Sequence, residues 1–526
     1  MTRRKLELDR LDKKRIDLAT RFLVSQESVP EDRTALDKAI RAFSKATQQP
    51  ILRSDELLAS ATELPTSLAE KWRLLCRKRA IRSESGVAVV AMLTRNFGCP
   101  GKCVYCPTPA NMPKSYLPTE PAVIRALTVR FSPSKQVRIR VKALEATGHD
   151  TSKVELIIMG GTWSAIPSSY QTSYIRACYH ALNETKGLVK SLEAEQKLNE
   201  SAPHRCVGLT LETRPDWITE KEIKKMRRFG CTRVEMGVQS LSDEVHNLCK
   251  RGHGVAEVIT ATELLRNAGF KVVYHMMLNL PGSNPKQDVE MFKELFSNPA
   301  FCPDQIKIYP CVLTKDAELA TWYKDGKWKP YSDDVLADTI IKIKKFIPEY
   351  CRVIRVIRDI PSTDIVAGSK SSNLRQILQQ KGMKCRCIRC REIRSLKVNE
   401  LSLVNREYEA VGGKEIFISY EDNTQDKLVA MLRLRIPSGD SKMHFSALKY
   451  AAIVRELHVY GMHTPIGDKG KSAQHTGLGK KLLKEAERIS KKHGKKKIAI
   501  ISGIGVRDYY RKQGYTLKDE YMVKGI

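Results

Sequence analysis

A chain of 526 residues is too long for one ordinary hydrophobic core and suggests about two to four domains. Its 42% hydrophobic content excludes global disorder, and no run of about 18 uncharged apolar residues offers a membrane-spanning helix. Its 91 Lys and Arg against 59 Asp and Glu leave a net charge of +32. That excess fits a polyanionic partner, nucleic acid ahead of an adaptation for solubility or heat.

The first residues read MTRRKLELDRLDKKR, with positive charge but no apolar core behind it. They are not a secretory signal, and a cytoplasmic protein is expected. The 14 cysteines then point to metal rather than a disulfide framework. Residues 1 to about 80 alternate short helical patterns with charge and end in a basic knot, Arg77, Lys78, Arg79 and Arg82. Residues 86–93 form a continuous apolar run, as a strand buried on both faces requires. Further strands are predicted over 154–159, 206–211, 233–238, 272–278, 305–308 and 353–357, with helices between them, such as 220–228 and 255–268. Strands alternating with helices predict a parallel sheet, doubly wound or a full or partial barrel. After about residue 365 the pattern changes. Strands over 415–420 and 427–436 flank a turn at 421–424, followed by a strand over 452–460, a helix over 478–489 and a strand over 498–502. This is a separate α/β domain with an antiparallel start.

The first cysteine cluster follows the first strand. Cys99, Cys103 and Cys106 stand at C-x3-C-x2-C spacing. Three thiolates on one loop hold three irons of a 4Fe–4S cluster and leave the fourth open to an outside ligand. A structural zinc loop is the competing reading, but zinc wants a fourth ligand nearby and none is close in sequence. Gly160 and Gly161 end the second predicted strand, where glycine lets backbone N–H groups approach a ligand; a tight turn is the plainer role. Glu212 and Arg214 end the third strand, either at a site or as a structural ion pair, and Gln239 ends the fourth. All lie at the C-terminal strand ends where barrel-like folds place chemistry.

This spacing after the first strand of a βα-repeat domain resembles the radical S-adenosylmethionine (SAM) superfamily. The resemblance implies a 4Fe–4S cluster whose open iron chelates SAM, and release of a 5′-deoxyadenosyl radical. It also implies that Gly160, Gly161, Glu212, Arg214 and Gln239 meet SAM. In the second domain, Gly477 and Gly479 open a helix beginning at Leu478, and its exposed N–H groups and dipole suit a pyrophosphate. With the preceding strand and the following Tyr509-Tyr510 segment, this order is similar to a GNAT-type N-acetyltransferase. That likeness implies that the loop holds acetyl-CoA, that Glu456, Leu457, His458 and Val459 pair with its pantetheine arm, and that Tyr509 stands catalytically by the thioester. A core aromatic is the alternative for Tyr509.

Together the halves resemble the catalytic subunit of Elongator and its archaeal and bacterial relatives, from about residue 80 to the C-terminus. The pieces that carry this are Ser85-Gly-Val-Ala-Val-Val, Cys103-Val-Tyr-Cys106-Pro, Ile158-Met-Gly-Gly-Thr162, Val454-Arg-Glu-Leu-His-Val-Tyr-Gly461 and the residues around Tyr509-Tyr510. The implied fold is a partial parallel (βα) barrel of radical SAM type followed by a mixed α/β GNAT-type domain. The implied boundaries are 1–80 for a basic tRNA-binding region, 81–365 for the radical SAM domain, 366–395 for a linker and 396–526 for the GNAT-type domain. The implied activity is formation of 5-carboxymethyluridine at the tRNA wobble position, from acetyl-CoA by a SAM-derived radical, with an electron donor. Lys153 aligns with a family lysine assigned to acetyl-CoA; a solvated surface lysine is the alternative. Eukaryotic relatives have a longer gap between the first two cluster cysteines, so this chain looks like a stand-alone prokaryotic form, and obligate partner subunits are in doubt.

Arg3, Arg4, Lys5, Lys13, Lys14 and Arg15, with Arg77, Lys78, Arg79 and Arg82, are the expected tRNA contacts around the anticodon loop. In the linker, Cys385, Cys387 and Cys390 favour a structural zinc clamp over a second iron–sulfur cluster, with Cys351, Cys311 or a distant His as fourth ligand. Cys76, Cys178, Cys206, Cys231, Cys249 and Cys302 read as buried small hydrophobes. Two other functions compete: a protein lysine acetyltransferase with a structural front half, and a non-catalytic tRNA scaffold, against which the open-iron motif argues.

Overall fold

The computed structural model describes residues 13–26, 28–62, 64–77, 86–187, 190–371, 373–394, 396–439, 441–461 and 477–526. Arg3, Arg4, Lys5, Lys78, Arg79 and Arg82, and the side chain of Lys13, lie outside the described residues.

The described residues begin with four helices: Lys13–Ser25, Arg33–Thr47, Ser54–Ala61 and Thr66–Cys76. Their apolar faces close on Phe22, Leu36, Leu57 and Trp72, with Phe22 edge-on to Phe43 and Trp72. Arg15 does not project as a tRNA contact would. Its guanidinium binds Glu56 at 3.0 and 2.7 Å and the carbonyls of Pro50 and Ile51, tying the first helix to the third.

The first sheet contains β1 (Ala88–Leu93), β2 (Lys153–Met159), β3 (Arg205–Thr213), β4 (Arg233–Gln239), β5 (Lys271–Leu278) and β6 (Gln305–Pro310). A two-residue β7 (Leu313–Thr314) intervenes before the last strand, β8 (Arg352–Arg355). Order is β1-β2-β3-β4-β5-β6-β8, every pairing parallel. The outer face buries Val90, Leu156, Leu209, Val234 and Ile306 under helices. The concave face is polar. Lys307 of β6 reaches Glu212 of β3 at 3.6 Å, skipping two strands, which requires the sheet to curl into a partial barrel. β7 pairs with β9 (Ile365–Ala367) beyond its rim.

The second sheet is mixed: β10 (Ser402–Ala410), β11 (Gly413–Asp422), β12 (Lys427–Pro437), β13 (Ala451–Val459), β14 (Lys497–Ile500), β15 (Thr516–Lys518) and β16 (Tyr521–Gly525). Its order is β10-β11-β12-β13-β14-β16-β15, and only β13 and β14 run parallel. The β11–β12 turn begins two residues later than its residue types suggest, because the Asp422 carboxylate accepts from the Thr424 and Gln425 amides. β10, β15 and β16 were not predicted. β10 is an edge strand with half its residues exposed, so it lacks the apolar run that marks a buried one.

This domain sits on the N-terminal ends of the barrel strands. A Cβ at Gly503 or Gly505 would overlap the backbone at the start of β3, so glycine allows that approach. Gly269, just before β5, meets Ile453 and Ile501.

Candidate active site

The cysteine loop lies at the C-terminal rim. Cys103 is buried, and Cys99 and Cys106 are half-buried. Their sulfurs do not all lie within 4.8 Å of one another, a spread suited to one iron per thiolate rather than one shared ion. Burial pushes the Cys103 thiol up, but the charge and hydrogen bond of Arg251 (Nη1 to Sγ, 3.3 Å) outweigh it and hold the thiol below its ordinary range. Desolvation, and then the neighbouring Cys103, push the Cys106 thiol up to about 11. Cys99 Sγ lies 3.4 Å from Thr162 Oγ1, which joins this loop to the end of β2.

Around Cys103 several buried polar atoms have no partner among the described residues: Arg214 Nη1, Arg251 Nε, Tyr105 Oη and His253 Nε2. Gly101 leaves room that a Cβ would take from Arg214, and Gly237 room that it would take from Arg251. Gly160 and Gly161 have φ of 135° and 96°, and a Cβ at Gly160 would overlap Thr94 Oγ1. These positions need glycine. Gln239 ends β4 in the left-handed region, φ 73°, at a register shift. Unpartnered donors, two cations, bare glycine backbone and three spread thiolates fit a 4Fe–4S cluster with SAM beside it. Glu212 and Arg214 do not pair with each other: Arg214 holds Asp216 at 2.9 Å, and Glu212 accepts from Tyr116 Oη at 2.6 Å.

At the opposite rim, β13 pairs with β14 only over Ala451–Val454. Residues 455–459 leave that ladder, and a wedge opens in the middle of the sheet. The helix Leu478–Lys492 starts at Gly477, φ 76°, beside the wedge. A Cβ at Gly479 would lie 2.8 Å from the Tyr509 hydroxyl and 3.6 Å from Leu457. The structure thus brings Leu457, Gly479 and Tyr509 together. Lys153 is the first residue of β2, at this same rim. Burial and then Arg205 lower its pKa, and it makes no ion pair among the described residues.

Two regions of the chain match known families: residues 94–295 the Radical SAM superfamily, and residues 303–384 the Radical_SAM C-terminal domain. The chain is 46% identical to the tRNA uridine(34) acetyltransferase of Methanocaldococcus infernus, over 90% of this chain and 91% of that protein. It is 47% identical to the protein of that name from Dehalococcoides mccartyi, over 85% and 100%. Human Elongator complex protein 3 is 39% identical, over 85% and 86%. The solved structure of archaeal Methanocaldococcus infernus Elp3, lacking residues 1–46, aligns with a TM-score of 0.74 at 44% identity, covering 84% of this chain and all of that one. This chain belongs to the tRNA uridine(34) acetyltransferase and Elongator complex protein 3 family.

In this family member the barrel lumen carries a set of charges of which sequence reasoning named only Glu212. Arg233 pairs with Glu155 at 2.9 Å; Glu235 binds Lys307 and, at 2.9 Å, His275; Lys307 leads on to Glu212. Glu212, Glu235 and His275 are close enough to hold a metal ion, but the Lys307 ammonium already supplies a cation there. Burial alone would raise the Glu235 pKa; Lys307 and His275 instead hold it well below the carboxylate range. Such residues are spread over five strands, β2 to β6, so no local motif signals them. Arg251 was missed for the same reason.

The linker trio is tighter than the loop trio. Cys385, Cys387 and Cys390 have sulfurs all within 4.8 Å, with Cys387 and Cys390 3.7 Å apart and Lys344 3.7 Å from Cys385. No fourth His, Cys or carboxylate completes the set among the described residues. Cys311 is ruled out as the fourth ligand, because it packs with Cys103, Cys249 and Leu280 around the cysteine loop. Cys351 is fully buried, and its carbonyl accepts from the Ile388 amide at the start of the linker's second helix.

Proposed function

We propose that this protein modifies the wobble uridine of tRNA, forming 5-carboxymethyluridine from acetyl-CoA. One observation carries the reading. A single partial barrel has a three-thiolate loop on its C-terminal rim and an open strand wedge against its N-terminal rim. Family membership supports the tRNA substrate, since relatives are named tRNA uridine(34) acetyltransferases.

When bound, the cluster and SAM supply a carbon radical by one-electron cleavage of a C–S bond, drawing on an outside electron donor. Cys99, Cys103 and Cys106 hold the cluster. Arg251 and Arg214 turn positive charge toward it, and Gly160, Gly161, Glu212 and Gln239 line the SAM side. In the wedge, the strand segment Glu456–Val459 offers its backbone to the pantetheine amides, while Gly477, Leu478 and Gly479 present N–H groups to the pyrophosphate. Tyr509 closes the thioester end, and Lys153 offers a cation at the seam. The acetyl end thereby faces the barrel rather than solvent, which favours carboxymethylation over acetylation of a protein lysine. Cys385, Cys387 and Cys390 hold a structural zinc. Arg3, Arg4, Lys5, Lys13 and Lys14, with Arg77, Lys78, Arg79 and Arg82 but without Arg15, bind tRNA phosphates. The protein works in the cytoplasm without obligate eukaryotic-type partner subunits; no helix among the described residues is long and apolar enough to cross a membrane.

The test is anaerobic reconstitution with iron, sulfide and reductant, then SAM, acetyl-CoA and unmodified tRNA, with mass spectrometry of the digested nucleosides. A 5-carboxymethyluridine peak that Cys103→Ser abolishes is expected. SAM cleavage without modified uridine would remove the tRNA substrate. Acetylated protein alone would replace this reading with lysine acetylation.

A further inference from the structure

Thioester cleavage in the acetyl-CoA reading needs a base, and we infer that His458 is that base, taking the proton from the attacking water. This rests on the function proposed above. The argument starts from strand alternation. Successive residues of β13 face opposite ways, so Glu456 and His458 share one face and Leu457 lies on the other. Leu457 meets Gly479 and, through it, Tyr509. Glu456 meets Lys271 at 3.2 Å, the first residue of β5. The wedge therefore has a CoA side, marked by Leu457 and Tyr509, and a barrel side, marked by Glu456 and His458. An acetyl group passed through the wedge toward the barrel meets the second face.

Three ionisable side chains of β13 reach the barrel, Arg455 by way of a register shift in the ladder, and only one is free to act, because Asp304 and Glu415 hold Arg455. Glu456 is taken: Lys271 and Arg433 (2.8 Å) both hold it. The Nε2 of His458 is buried and has no hydrogen-bond partner among the described residues. Its ring sits 4.3 Å from that of Tyr460, which steadies it. Three rim cations bear on it: Lys153, Lys271 and Arg352, the first residues of β2, β5 and β8. Burial first, and then these cations against the opposing pull of Glu456, bring the imidazole down to about 4. The ring is thus neutral at physiological pH, the form a base requires. Lys153, which has Asp150 near enough to oppose the effect of burial but makes no close ion pair among the described residues, is a cation suited to the carbonyl oxygen as charge develops there.

The step balances without a redox partner. The water oxygen bonds to the thioester carbonyl carbon while one water proton moves to His458 Nε2. The carbon–sulfur bond then breaks, and the departing CoA sulfur takes that proton from His458. The remaining water proton leaves as the new carboxyl group ionises. The products are a carboxylate and free CoA.

The experiment uses the full chain with its cluster reconstituted, plus SAM, acetyl-CoA and unmodified tRNA. It reads free thiol released, acetyl-CoA affinity by calorimetry and 5′-deoxyadenosine formed. His458→Gln is expected to lower the thiol-release rate at saturating acetyl-CoA by at least about 100-fold, as loss of a general base does, with SAM cleavage unchanged. His458→Ala is expected to regain part of the rate with added imidazole. Wild-type thiol release in His458→Gln overturns the inference. So does a loss that tracks weakened acetyl-CoA binding and resists imidazole, which marks a structural residue. A wild-type protein that releases no thiol and modifies no uridine overturns the function itself, and this inference with it.

Discussion

Asp304 and Arg455 form a two-point ion pair across the seam between the domains. Oδ2 accepts from Nη1 at 2.7 Å and Oδ1 from Nη2 at 2.6 Å, with both residues fully buried. Asp304 precedes β6 of the barrel and Arg455 lies in β13. Arg433 adds a second cation 3.5 Å from Asp304, and Glu415 answers Arg455 at 2.8 Å. Charges this deep are tolerated only because each has its counter-ion. Asp304→Asn keeps the shape and removes the charge. It is expected to cost about 3–5 kcal/mol, the usual consequence of leaving a buried partner uncompensated. Denaturant unfolding of the variant against the parent checks it, and a loss under about 1 kcal/mol would show the seam is not held by this pair.

The same chemistry sets a pH dependence. Burial tends to raise the Glu456 and Glu421 carboxyls, but Lys271 and Arg433 for the first, and Arg391 and Arg406 for the second, hold each down to about 2. The ordinary value in an unfolded chain is 4.5. The stabilisation is therefore complete above pH 4.5 and drains away as pH falls through about 2. Urea midpoints measured from pH 6 downward, with the buffers' range set by about those values, are expected to fall across that window. Glu421→Gln is expected to flatten the slope. A midpoint independent of pH there would contradict the argument.

The two cysteine trios are expected to separate in metal analysis. Cys387→Ser removes the middle thiolate of the tight linker set and is expected to lose zinc, with lowered thermal stability, while iron loading persists. Cys103→Ser is expected to lose the iron–sulfur absorbance and retain zinc. Loss of both metals in either variant would mean that the sites depend on each other.

Gly160 offers a sharper test of the SAM side. Its φ of 135° is reached freely only by glycine, and a Cβ there would overlap Thr94 Oγ1. Gly160→Ala is expected to cost about 1–3 kcal/mol and to weaken SAM binding, measured by calorimetry on the reconstituted protein. Unchanged SAM affinity would place the ligand elsewhere on the rim.

Much of this was readable from residue order, and the reason is locality. The C-x3-C-x2-C loop, the Gly160-Gly161 pair and the Gly477–Gly479 helix start each lie within a few residues of chain, so spacing alone exposes them. A strand such as Lys153–Met159 announces itself through an apolar run whose Val154, Leu156 and Ile158 are buried, whereas the half-exposed edge strand Ser402–Ala410 does not.

Sequence by itself determined the alternation of strand and helix, the two cysteine sets and the glycine turns, because each depends on neighbours along the chain. Tertiary structure alone decided that Arg251 meets Cys103, that Cys311 lies far from the linker cysteines, and that Asp304 finds Arg455. It also decided that Glu456 meets Lys271 of the barrel, and that Lys307 closes a ladder from Glu235 to Glu212. Each of these joins residues from different strands or different domains. Their meeting depends on how the sheet curls and where the second domain docks, which no local spacing encodes.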